Sequence, residues 1–113
     1  MTYRIKRINE LIKRELGKIF LKELDFQKNC LVTITKVDTS SDLCWAEVWV
    51  SIFPPKTKKE NFEKLERSIG HLQFLLNKKL FLKPLPRIRF RLDNIEEEIE
   101  ELENLLDEEE KEM

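Results

Sequence analysis

The residues that could do chemistry in this chain are few, and their spacing excludes most chemistry. His71 is the single histidine, and Cys30 and Cys44 are the only cysteines. No set of Cys and His ligands has zinc-site spacing, so neither a metal nor a cofactor is expected. His71 lacks a serine or cysteine partner at a spacing that would make a nucleophile and base. It reads instead as a helix-surface or kink-packing residue, and Ser68 as a small residue that lets helices approach. Acids are abundant, but paired catalytic carboxylates need a cleft and a raised pKa, and a sequence displays neither. No catalytic residue is assigned, and the chain reads as a non-enzyme.

The pattern with chemical content is cationic. Arg4, Arg7, Arg14, Lys18 and Lys22 are separated by 3, 7, 4 and 4 residues. At about 100° per residue they form one stripe along a helix. The stripe has no acid in it, although Glu15 flanks it. A solvated helix face usually mixes signs so that i,i+4 pairs form. A single-sign stripe suits a phosphate backbone, which needs clustered bases. Lys78, Lys79 and Lys83 form a second basic group. The candidate RNA contacts are therefore Arg4, Arg7, Arg14, Lys18, Lys78, Lys79 and Lys83, with a solvated side chain as the plain alternative for each.

Charge is segregated along the chain. The net charge of −1 is the sum of +9 over residues 1–93 and −10 over residues 94–113. A basic body with an acidic tail suggests a polyanion-binding surface with something to shield it. Selection for solubility or thermal stability accounts for the total charge but not for its separation by sign. No apolar run approaches the roughly 20 residues that span a membrane. The first ten residues lack the apolar core of a secretory signal, so a cytoplasmic protein with reduced cysteines is expected.

The elements that must position these groups follow from periodicity. Ile5, Ile8, Ile12, Leu16 and Ile19 put an apolar stripe on a helix over residues 3–24, about 120° from the bases. Leu31 to Val37 is β-branched and alternating, Asp38 to Asp42 is turn chemistry, and Leu43 to Phe53 is a second strand. Those strands are expected to pair as an antiparallel hairpin. Pro54 and Pro55 end the second one, and Thr57 with Glu60 reads as a capping box. Phe62, Leu65, Ile69, Leu72 and Leu76 run helically through Gly70, a residue that costs roughly 1 kcal/mol inside a helix. The expected reason is a bend between two helices, at a crossing where a Cβ would clash. Arg87 to Leu92 alternates, with Ile88, Phe90 and Leu92 inward and the three arginines outward. Asn94 and Glu97 cap a last helix, whose stripe is Ile95, Ile99, Leu102 and Leu106.

A three-stranded sheet covered by helices leaves one face carrying Trp45, Trp49, Arg87, Arg89 and Arg91, beside Thr33 and Thr35. Two readings of that face stay open. It is a platform for stacking bases, or the acidic tail lies over its tryptophans. For the whole protein an adaptor role also stays open, with dimerisation through the tail.

In order and spacing these segments resemble ribosome-binding factor A, a family of bacterial small-subunit assembly factors. RINELIKREL (Arg7 to Leu16) corresponds to the family's basic opening helix. Val32 to Val37, then Ser41, Asp42, Leu43, Ala46, Val48 and Val50, follow the family's first two strands. Ser68-Ile69-Gly70 stands where the family has an Ala-x-Gly helix kink, and Pro86, Phe90 and Asp93 match its third strand. The resemblance implies an α+β, type II KH-like fold, α-β-β-α-kink-α-β, in which the kink replaces the Gly-x-x-Gly RNA loop. With only Gly17 and Gly70, the chain has no such loop. It further implies binding to the immature 30S subunit and its 16S rRNA, support of late maturation and 5′-end processing without nuclease activity, and release with help from an assembly GTPase. Three positions depart from the family's habit: Gln73 in place of arginine, Arg87 in place of an acid, and Ser68 in place of alanine. The expected organisation is a KH-like RNA-binding domain at 1–93, acting as a monomer, and a C-terminal acidic amphipathic helix at 94–113.

Overall fold

The computed structural model describes residues 2–24, 30–82 and 85–94. Helix α1 (Thr2–Glu23) leads into strands β1 (Leu31–Thr39) and β2 (Trp45–Phe53). A 3-10 turn (Pro55–Thr57), helices α2 (Lys58–Arg67) and α3 (Ile69–Lys79), and strand β3 (Arg87–Leu92) complete the described chain. The sheet order is β1-β2-β3. β1 and β2 are antiparallel and β3 lies parallel to β2, with Ala46 opposite Ile88 and Val48 opposite Phe90. A parallel neighbour requires a crossover, which α2 and α3 provide. This is the expected KH-like order; the acidic C-terminal helix lies outside the described residues.

The core lies between one sheet face and the three helices. Ile8, Ile12, Leu16, Ile19 and Phe20 of α1 are buried with Ala46, Val48 and Val50 of β2 and with Leu65, Leu72 and Leu76 of α2 and α3. Phe20 meets Phe90 at a centroid distance of 6.0 Å. Burying one Leu or Ile side chain is worth roughly 1.5–3 kcal/mol, against about 0.2–1 kcal/mol for an exposed ion pair. The apolar stripe therefore decides how α1 faces, and its bases follow to the outside.

Strict alternation in β1 fails at one point. Ile34 and Val37 are both buried, three residues apart, because the register shifts between Ile34 and Lys36. Thr35 is the extra residue. Its hydroxyl donates to Asp93 Oδ2 at 2.6 Å and approaches the Trp49 carbonyl at 3.3 Å. Lys36 consequently stands opposite Trp49.

The hairpin turn falls later than Asp38 to Asp42. The Asn9 side-chain carbonyl accepts from both the amide and the hydroxyl of Thr39, which holds β1 in register two residues beyond Val37. The turn is closed by the Leu43 amide on the Ser40 carbonyl, and Leu43 takes a φ of 62°. That left-handed conformation is uncommon for leucine. It is held by Asp42, whose carboxylate accepts from the Ser40 hydroxyl and the Cys44 amide. Those bonds lower the Asp42 pKa from its usual value of 3.8, and the same carboxyl raises the Cys44 thiol.

Two helical expectations need correction. Thr57 makes no side-chain cap; its hydroxyl donates to the Pro54 carbonyl. The 3-10 turn runs straight into α2, giving Thr57 helical angles rather than the extended ones a capping residue adopts. The bend between α2 and α3 lies at Ser68 (φ −92°, ψ 0°), not at Gly70. Gly70 is exposed in the first turn of α3, and a Cβ built there meets nothing within 4 Å. The expected clash is absent.

Gln73 ties α3 to the sheet edge. Its carbonyl accepts the Ile88 amide at 2.8 Å, and its amino group donates to the Pro86 carbonyl and to Asn77. Gly70→Ala should therefore raise stability by about 0.5–1 kcal/mol, whereas Gln73→Ala should lower it by about 1–3 kcal/mol by orphaning strand-edge groups. Denaturant melts of the two variants check both signs. A carboxylate with a depressed pKa stabilises the fold above its unfolded pKa and loses that contribution as pH falls through its folded one. Acid titration should thus show Asp42→Asn losing less stability than the unaltered protein below the ordinary carboxylate range.

Candidate nucleic-acid interface

The basic stripe of α1 is exposed along its length. Arg4, Arg7, Arg14 and Lys18 all point away from the core. Toward the N-terminus, a shallow groove of about 490 Å³ is lined by Tyr3, Lys6, Arg7, Glu10, Leu11 and Arg14. Tyr3 is 76% exposed there, a flat ring beside guanidinium groups. Further along, Glu15 approaches both Arg14 (3.5 Å) and Lys18 (3.6 Å). The flanking acid thus reaches into the stripe. Both cations remain 63% exposed while Glu15 is 16% exposed, so the pairs leave the basic heads facing solvent.

The second basic group reaches α1 through the packing of α3. His71 approaches Glu23 at 3.5 Å, and Lys79 shares a groove with Lys18, so the two helices run antiparallel. That groove, about 450 Å³, is lined by Lys18, Lys22 and Lys79 with Glu15 and Glu23 at its sides and Ile19 and Leu75 beneath. Lysines far apart in sequence therefore meet at one place. Lys78 takes another direction, with its ammonium 4.4 Å from the centre of the Phe74 ring. Lys83 lies outside the described residues. Ser68 forms the bend, Ile69 and Gly70 open α3, and none of the three carries a basic group.

Several contributors escaped the sequence reading. Lys6 and Tyr3 stand in the first groove, and Lys22, placed in the stripe by its spacing, shares the second groove with Lys79, which only helix packing reveals. Gln73 occupies a position where arginine would add charge, but its side chain is committed to Pro86 and Ile88. The opposite, open face of the sheet is also cationic. Arg89 stacks on Trp45 at 4.0 Å, Lys36 lies over Trp49 at 5.2 Å, and Arg91 reaches Glu47 at 3.2 Å. Among the described residues no group of three or more His, Cys, Asp or Glu side chains could hold a metal. No described helix is long and apolar enough to cross a membrane.

The described residues form a three-stranded KH-like domain with its helices on one face of the sheet and exposed bases on two antiparallel helices. The profile of the Ribosome-binding factor A family matches residues 4–106, and the chain belongs to that family. It is 39% identical to ribosome-binding factor A of Chlamydia pneumoniae over 91% of this chain and 88% of that one. The crystal structure of ribosome-binding factor A from Thermus thermophilus superposes with a TM-score of 0.68 at 23% identity, covering 78% of this chain and 94% of that one. Coordinates of the Thermus thermophilus factor fitted into a cryo-electron microscopy map of a 30S complex give a TM-score of 0.60 at 24% identity, covering 74% and 89%. Both structural likenesses concern the fold.

Lys18→Glu combined with Lys79→Glu should sharply reduce retention on a heparin column. Because both side chains are exposed, the melting curve should shift by no more than about 0.5 kcal/mol.

Proposed function

We propose that this protein is a non-catalytic ribosome assembly factor that binds the immature 30S subunit through 16S rRNA. In this reading it supports late maturation of the rRNA, including processing of its 5′ end, which a separate nuclease performs. Family membership supports the ribosomal partner. The observation that carries the RNA contact is the meeting of Lys18, Lys22 and Lys79 in one groove, continuous with Arg14 and Arg7 along α1. Phosphates spaced along an RNA strand fit a line of exposed cations, and a groove with an apolar floor lets each cation keep its charge in water.

The division of labour along the chain belongs to this reading. Residues 1–93 act as the KH-like RNA-binding domain and residues 94–113 as an acidic extension. The protein works in the cytoplasm as a monomer, since a tail of net charge −10 would repel its copy across a dimer. An assembly GTPase assists its release.

Affinity for immature small subunits should fall linearly on a log–log plot against salt. Each phosphate contact removed, as in the Lys18→Glu, Lys79→Glu variant, should flatten the slope by about 0.7–0.9. Binding that ignores salt would contradict the electrostatic basis of this reading.

A further inference from the structure

We infer that the open face of the sheet is the docking surface for this chain's own acidic segment, residues 95–113. The face is unusual in composition. It carries the only two tryptophans of the protein, and Trp45 is 40% exposed among the described residues. Stacked or aligned with them are Arg87, Arg89, Arg91 and Lys36, against which the described face sets Glu47, Asp38 and, at its end, Asp93 bonded to Thr35. Trp49 Nε1 is buried and has no hydrogen-bond acceptor among the described residues. A buried donor without an acceptor costs about 1–3 kcal/mol.

Charge and apolar spacing both select this occupant. The segment holds 11 acids and one lysine, opposite in sign to the arginine ladder of β3. Its Ile95, Ile99, Leu102 and Leu106 recur at helical spacing and would replace water over two indole rings. A nucleobase platform would also exploit tryptophan and arginine, but it would leave this apolar stripe without a partner.

The exit path of the chain agrees. β3 ends at Leu92, opposite Val50, and Asp93 is held to Thr35 of the far strand by a 2.6 Å hydrogen bond. The chain therefore leaves the sheet at the end where Trp49 and Arg91 are paired. Wound as a helix, the stretch from Ile95 to Leu106 would rise about 16 Å, and from Trp49 back to Trp45 a strand spans about 13 Å. One short helix can therefore cover both indoles. A short tether supplies an effective concentration in the millimolar range, so modest contacts suffice.

Because both tryptophans lie on this face, intrinsic fluorescence of the full chain reports on it alone. The unaltered protein should show blue-shifted emission and weak acrylamide quenching, independent of protein concentration. Ile99→Asp with Leu102→Asp should red-shift the emission and raise quenching several-fold, with the main melting transition unchanged. Glu100→Lys with Glu101→Lys, a second variant acting through charge, should do the same. Unchanged emission and quenching in both variants would overturn the proposal. Protection that disappears on dilution would assign the cover to a second copy and likewise overturn it. A single-stranded oligonucleotide that quenches unaltered and variant proteins equally would make the face an RNA platform, again against the proposal. Tighter quenching in the variants would support it.

Discussion

A three-stranded sheet must bury at least one face to be stable, and that constraint organises the described structure. The residues Ala46, Val48, Val50, Ile88 and Phe90 need cover, and α1, α2 and α3 all lie on their side. Every polar function is then sorted by default. Bases on α1 and α3 that do not meet the core must face solvent on the helical side. Trp45, Trp49 and the β3 arginines must face outward on the other. The molecule thus has two cationic surfaces of different character. One is lysine-rich and grooved; the other is flat, with arginine stacked on indole. Apolar burial, worth several times any exposed ion pair, decides the sorting.

Periodicity made most of this legible. The α1 stripe, the alternation of β3 and the hairpin all come from patterns that repeat over several residues, where single exceptions average out. What stayed hidden depends on single contacts across long sequence distances. Thr35 becomes a bulge through Asp93, 58 residues away. Thr39 stays in the strand because Asn9 reaches it from α1. The basic stripe was visible in α1, but the joining of Lys18 to Lys79 required the antiparallel packing of α3. Gly70 misled because a helix-interior glycine invites a steric explanation. The change of direction is made at the Ser68 backbone instead, leaving Gly70 with open space.

Two of the positions that depart from family habit acquire physical roles. Gln73 both accepts from Ile88 and donates to Pro86 at the strand edge. Arginine has no acceptor and could not make the first of those bonds. Arg87, where acids are common, has its backbone on Cys44 and its side chain exposed, adding a cation to the open face.

The central claim is that the helical face, not the sheet, meets rRNA. A photo-crosslinker placed in turn at Lys18, Lys79 and Arg89 of the full chain, followed by mapping on immature 30S subunits, tests it most directly. Crosslinks to 16S rRNA from positions 18 and 79, with none from position 89, are the predicted result. Crosslinks from position 89 alone would contradict it.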